Sequence, residues 1–311
     1  ADIIFQIGTG YFGCRTEEGN FDPEKFQEIA LHEVVKMIEI KISQGAKPGF
    51  GAILPAKKNT KEIAKFRDVE QGTEIHSPAF HSAFDNDVEM LRFIRKLRKL
   101  SKGKPVGIKL CIGQQDEFER MVKTFAEKQN YPDFIAIDGA EGGSGAAHME
   151  SLHWAGMPII EAIHFANGIL KKYGLRDEIK VMAAGKILSA FDIYRMLALG
   201  ADNCYSARGM MFALGCVQSL KCNLETCPTG ITTMVPSRVA SIVVKDKKTK
   251  VANYHKNTIE GFKELLKSMG IENRKGIDKK YIVRRINENE TKTYQELYSN
   301  GLNGRKIKSN G

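Results

Sequence analysis

The sequence predicts an α/β protein built as a (β/α)8 barrel, and three observations carry that expectation. Short apolar runs alternate with amphipathic stretches from Ile3 to Ser206, the pattern of parallel βαβ units. The chain has 311 residues, 42% of them hydrophobic, a size that suits one large core of barrel type. Glycines and charged residues gather where the apolar runs end, the face on which a parallel barrel binds its ligands.

The first strand, Ile3 to Ile7, runs into the turn Gly8-Thr9-Gly10. Asp22 then Pro23 opens a helix as N-cap and first-turn proline, with Phe26, Ile29, Ala30 and Val34 as its apolar positions. Ile38 to Ile42 is the second strand, and it ends at Ser43-Gln44-Gly45-Ala46-Lys47-Pro48-Gly49. A long loop containing Glu74-Ile75-His76-Ser77-Pro78 leads to a helix with Val88, Leu91, Ile94, Leu97 and Leu100 on one face. Strand Val106 to Leu110 is followed by a helix carrying Phe118, Met121, Val122 and Phe125. Strand Phe134 to Asp138 opens into the glycine loop Gly139 to Gly145 and a helix from near Pro158 to Lys172. Strand Ile179 to Ala183 passes through Gly185 to a helix opened by a capping box of Ser189 and Asp192. The last strand, Asp202 to Ser206, precedes Arg208, giving six strands where a closed barrel has eight. Beyond Pro236 a Lys-rich tail holds one more amphipathic helix, with Ile259, Phe262, Leu265, Leu266 and Met269. The chain therefore divides into a barrel of residues 1–235 and an α-rich appendage of residues 236–311.

Composition narrows the class. No apolar run reaches membrane-spanning length, and no charged-then-apolar leader stands at Ala1, so neither a membrane nor a secretory role is expected. Six cysteines without even pairing imply a reducing, cytoplasmic compartment. The net charge is +10, from 47 Lys and Arg against 37 Asp and Glu. The basic residues spread over helix faces such as Arg92 to Lys104 without interleaved aromatics, which argues for a solvated surface over a nucleic-acid groove. Such a surface also attracts an acidic redox partner.

The strand ends suggest the chemistry. They present Gln44 with Lys47, Lys109, Asp138-Gly139 with the loop Glu141-Gly142-Gly143-Ser144-Gly145, Gly185-Lys186, and Ser206 with Arg208. Glycines let backbone N–H groups approach a ligand, and the ends of the last two strands are where barrels hold phosphate. Lys109 follows Ile108 inside a buried strand, and an ammonium there needs a partner; beside an electron-rich ring it would stabilise a reduced flavin. His76, His81, His148 and His153 read as loop or core histidines. After the last strand, GCVQSLKCNLETCPT places Cys216, Cys222 and Cys227 five and then four residues apart. That spacing fits no zinc ribbon, and it leaves two readings: three ligands of an iron–sulfur cluster, or three neighbouring buried thiols.

Taken together, Gln44 to Gly49, Ser77-Pro78, Ile108-Lys109-Leu110, Asp138 to Ala146 and Gly215-Cys216 through Cys222 to Cys227-Pro228-Thr229-Gly230 resemble the FMN-binding synthase domain of glutamate synthase. The resemblance covers residues 1–235, and the tail looks like that of stand-alone bacterial glutamate-synthase-like proteins. It implies FMN, a three-iron four-sulfur (3Fe-4S) cluster on Cys216, Cys222 and Cys227, and reduction of 2-iminoglutarate, formed from 2-oxoglutarate and ammonia, to L-glutamate. It also implies an electron donor such as ferredoxin or a reductase subunit. Under it Lys47, Lys109 and Glu141 are the catalytic candidates. Lys109 faces the flavin's pyrimidine edge, Gly142, Gly143 and Gly145 line the ring, Gly185, Lys186, Ser206 and Arg208 surround the phosphate, and Gln44 and Lys47 stand on the substrate or flavin side.

Three departures qualify the resemblance. The family's first two strands are absent, so the chain is a fragment or another polypeptide completes the barrel. Phe50 and Ala52 replace an acidic residue and a glycine, and no glutaminase module is present, so ammonia comes from solution or a partner. Two other functions stay open: an FMN and iron–sulfur oxidoreductase for another imino or amino acid, and a non-catalytic truncated subunit that binds a partner.

Overall fold

The apolar runs become six parallel strands in a computed structural model that describes residues 1–45, 51–143 and 154–298. These are β1 (Ile3–Ile7), β2 (Val35–Lys41), β3 (Val106–Leu110), β4 (Phe134–Asp138), β5 (Lys180–Ala184) and β6 (Asn203–Tyr205). They hydrogen-bond in unbroken chain order, every pair parallel. Parallel neighbours require a crossover, and helices supply it. These are α1 (Pro23–Ala30), α2 (Lys61–Arg67), α3 (Asp87–Leu100), α4 (Gln115–Lys128), α5 (Ile159–Lys172), α6 (Ala190–Leu199) and, after β6, α7 (Ala207–Leu214). The result is an α/β barrel sheet of six strands among the described residues.

Side chains alternate between the two faces of each strand. The helix-facing set is apolar: Ile40, Ile108, Ile135 and Val181 stand in register across four strands, each fully buried. Burying an Ile or Val contributes about 1.5–3 kcal/mol, so this layer fixes the strand register. The opposite face sets the polar Gln6, Glu39, Lys109, Asp138 and Tyr205 among small or apolar neighbours such as Gly107, Ala136 and Met182. Glu39, 3% exposed, accepts hydrogen bonds from Gln6 Nε2 at 2.5 Å and from the Tyr205 hydroxyl at 3.0 Å. β2 and β6 lie four strands apart, so a direct bond between them forms only because the sheet curls into a trough.

Local chemistry sets the helix starts. Asp22 Oδ1 accepts from the N–H groups of Glu24 and Lys25 at 2.9 and 3.1 Å, with Pro23 in the first turn. Ser189 and Asp192 form the expected reciprocal cap of α6. Three features were not readable in advance. α2 buries only Ala64 and α7 only Gly209, so neither repeats the buried stripe of α3 and α4. The tail contains an antiparallel hairpin, Val283–Asn287 with Glu290–Thr293, whose first strand is exposed at every residue and so shows no alternation. The tail's long helix, Val244–Ser268, lies on α6 and α7, while Ile271, Ile282 and Tyr294 join the barrel's own buried cluster. Among the described residues no helix is long and apolar enough to cross a membrane.

His81 belongs to this core. It is 4% exposed, its ring bonded to the Tyr11 hydroxyl (3.2 Å) and the Lys41 carbonyl (2.9 Å) and stacked on Phe84. Burial holds its pKa below the usual 6.5, against the opposing pull of the Lys41 carbonyl. The folded state therefore favours the neutral ring. Its contribution to stability is complete above about pH 6.5 and is lost as pH falls from there through the lower folded value. Thermal melts between pH 7 and pH 5 should show a falling Tm, and His81→Asn should flatten that part of the profile.

Candidate functional site

At the carboxyl ends of the strands a cavity of about 360 Å³ opens on the trough. Its wall includes Gln44, Lys109, Gly142, Gly143, Gly185, Lys186 and Arg208, together with Cys216 and Cys222. A larger cavity of about 520 Å³, between Phe80, Phe84, Leu110 and Phe118, is ringed by Asp85, Asp87 and Glu117 and lacks this convergence of cations and glycine loops.

Lys109 occupies the inward face of β3, two residues beyond Gly107, and Asp138 ends β4 beside it. Its Nζ lies 3.8 Å from Asp138 Oδ2, with the two side chains 18% and 7% exposed. The same carboxylate oxygen accepts from the Gly45 N–H at 3.0 Å, which brings the loop after β2 down onto the loop after β4. Glycine is required at that contact: a Cβ on Gly45 would stand 1.7 Å from the Gly139 carbonyl oxygen, and one on Gly142 would stand 2.0 Å from Asp138 Oδ1. The buried carboxylate thus holds a cation and two glycine loops around one cavity.

The other end of the cavity is cationic. Lys186, in the left-handed region at φ 48°, follows Gly185 at φ 128°, a sharp turn out of β5. Arg208 sits in the first turn of α7, whose N-terminus has no side-chain cap, and its Nη2 donates to the Glu141 carbonyl at 3.3 Å. A helix N-terminus without a side-chain cap, with its dipole, favours an anion there.

Tyr205 also lines the cavity. Burial, with the Glu39 charge beside it, keeps its phenol well above the usual range, so the hydroxyl remains the donor to Glu39. Tyr205→Phe leaves that buried carboxylate one donor short, and urea denaturation should show a loss of about 1.5–3 kcal/mol.

Not every residue singled out from the sequence reaches the wall. Glu141 turns its carboxylate to the Ile159 N–H, at 3.0 and 3.3 Å, and so caps α5. The Ser206 hydroxyl donates to the Ile187 carbonyl at 2.8 Å, tying the loop after β5 to the start of α7. Lys47 and Gly145 lie outside the described residues, as do His148 and His153. Cys227 is buried, its Sγ 3.5 Å from Thr229 Oγ1. Burial pushes that thiol up, but hydrogen bonds from Thr229 and Thr232 outweigh it and bring it down to about 6. Among the described residues no three His, Cys, Asp or Glu side chains form a group that could hold a metal ion, so Cys216, Cys222 and Cys227 as placed do not make one. Glu39 and Tyr205 escaped the sequence reading, and Asp138 stands there as a strand tip without its pairing to Lys109. The one available signal was a carboxylate at the tip or inside of an otherwise apolar strand, as in FIAID and MIEI.

A curled parallel sheet with a cationic, glycine-lined cavity at its strand tips defines an α/β fold of barrel type whose cavity has the charge to suit an anionic ligand. Comparison with known proteins narrows this: the conserved region of glutamate synthase matches residues 1–272, and the chain belongs to the glutamate synthase family. It is 41% identical over 285 residues to the glutamate synthase large subunit-like protein YerD of Bacillus subtilis, covering 92% of this chain and 54% of that protein. It is 35% identical over 273 residues to the archaeal glutamate synthase (NADPH) of Methanocaldococcus jannaschii, covering 86% and 50%. The ferredoxin-dependent chloroplastic glutamate synthase of Oryza sativa is 32% identical over 198 residues, 63% of this chain and 12% of that enzyme. The chain thus spans about half the length of the first two relatives.

Proposed function

We propose that this chain is the FMN-binding barrel of a glutamate-synthase-type oxidoreductase that reduces 2-iminoglutarate, formed from 2-oxoglutarate and ammonia, to L-glutamate. The observation that carries the reading is Lys109 paired with buried Asp138 at one end of a cavity whose other end holds Lys186, Arg208 and an uncapped helix N-terminus. That donor set fits FMN: cations and N–H groups for a phosphate, a glycine-lined slot for a flat ring, and an ammonium where negative charge develops. FMN bound there supplies hydride transfer to the imine carbon.

The chain's own residues do the rest. Lys186, Arg208 and the first turn of α7 hold the phosphate, with Gly185 giving the close approach. Gly142 and Gly143 line the ring, Lys109 faces its pyrimidine edge and stabilises charge there, and Asp138 keeps Lys109 in place. Gln44, with Lys47 and Gly145 of the adjoining loops, is assigned to the substrate and ring sides. Glu141 acts through α5 and Ser206 through α7, both as positioning groups.

Cys216, Cys222 and Cys227 are the proposed ligands of a 3Fe-4S cluster on the strength of the glutamate synthase resemblance, with which their spacing agrees. Their placement does not group them, and no step here runs through iron. An external electron donor, ferredoxin or a reductase subunit, is part of the proposal, and six free thiols suit a reducing, cytoplasmic setting. Two measurements test the reading: iron, sulfide and flavin content of anaerobically purified protein, and glutamate formation from 2-oxoglutarate, ammonia and a chemical reductant. Reduced flavin without glutamate would reject the substrate, and protein that takes up no flavin would reject the whole reading.

A further inference from the structure

We propose that Lys58 is a positioning residue that clamps the three-cysteine loop in place as a wall of the flavin cavity, an inference that rests on the FMN reading above. Lys58 closes a single helical turn, Ala56–Lys58, in the long segment after β2. Its ammonium reaches across the fold to one short stretch of chain. It donates to the Cys222 carbonyl and to the Thr232 carbonyl, the latter at 2.6 Å, and it pairs with Glu225 Oε1 at 3.4 Å. Two hydrogen bonds to backbone carbonyls and one ion pair thus join this single ammonium to residues 222–232. The Lys58 and Glu225 side chains are only 15% and 12% exposed, so each charge depends on the other.

Glu225 is itself fixed to the far end of the loop. Its Oε2 accepts from the Met234 N–H at 2.8 Å and from the Thr233 hydroxyl at 3.1 Å. The loop needs such an anchor. Residues 215–235 contain no helix or strand, and Gln218, Leu220 and Glu225 sit in the left-handed region at φ 52°, 55° and 61°. Non-glycine residues persist there only when their surroundings hold them. Cys216, Gln218, Leu220 and Cys222 of the same loop face the cavity, so what holds the loop also shapes the site. Lys58→Met would fill similar space, leave two carbonyls without that donor and leave the Glu225 carboxylate without its cation.

The test uses the full chain with Lys58→Met, Lys58→Arg and Glu225→Gln. Two quantities are read: the FMN dissociation constant from flavin fluorescence, and the iodoacetamide alkylation rate of Cys216 and Cys222 in flavin-free protein by peptide mass spectrometry. Lys58→Met should alkylate roughly tenfold faster and bind FMN roughly tenfold more weakly, each the equivalent of one lost charged hydrogen bond. Lys58→Arg should recover most of both, a rescue that mere space-filling would not give. Glu225→Gln, the milder change should Lys58→Met not fold, should raise alkylation about threefold. Unchanged alkylation in folded Lys58→Met or Glu225→Gln overturns the clamp. Faster alkylation in a protein whose wild type binds no FMN would keep the clamp and remove the flavin reading instead.

Discussion

Lys109→Met is expected to lower turnover by roughly 10²- to 10³-fold, the scale of losing one preorganised charge at a reacting centre. It should also destabilise the fold, because Asp138 at 5% exposure loses its cation 3.8 Å away. Breaking a buried pair from one side costs about 3–5 kcal/mol. The two effects separate in Lys109→Met combined with Asp138→Asn. Asparagine keeps an oxygen for the Gly45 N–H and carries no charge, so the melting temperature should recover while turnover does not. Recovery of turnover with stability would assign Lys109 a purely structural role.

Gly45→Ala should abolish the cavity while sparing the core. The added methyl would fall 1.7 Å from the Gly139 carbonyl, and both partners are backbone, so the loop after β2 must lift away and give up its 3.0 Å bond to Asp138. FMN affinity should drop at least about 100-fold, the scale of losing a charged hydrogen bond together with the seating of two loops. Gly113→Ala is the control, since nothing lies within 4 Å of its Cβ position. It should bind FMN as the wild type does. Equal affinity in Gly45→Ala would mean that the two loops do not build the site.

The sheet was legible in the sequence because β3, β4 and β5 carry dense apolar runs bounded by Gly, Pro and Asp, a local signal. The six strands of the parallel sheet are the six read, with ends shifted by up to three residues at β2. Residues of the site that announce themselves singly were legible too: Lys109 within apolar neighbours, and the glycines after β4 and β5. Their partners were not. Asp138 meets Gly45 across 93 residues, Tyr205 meets Glu39 across 166, and Lys58 meets Cys222 across 164. Contacts of that separation follow from how the sheet curls, which no window of sequence contains. Glu141 shows the converse. A carboxylate at a strand tip reads as chemistry, yet its oxygens serve the first N–H of α5 18 residues further on.

The most direct test of the account is calorimetric titration of the purified chain with FMN and, in parallel, with riboflavin. On the proposed reading the cavity joins a ring slot at Lys109 to an anion end at Lys186, Arg208 and α7, and charged hydrogen bonds to phosphate contribute about 1.5–3 kcal/mol each. FMN should therefore bind at one per chain, and riboflavin, which lacks the phosphate, at least about 100-fold more weakly. Absence of FMN binding, or equal affinity for the two flavins, would contradict it.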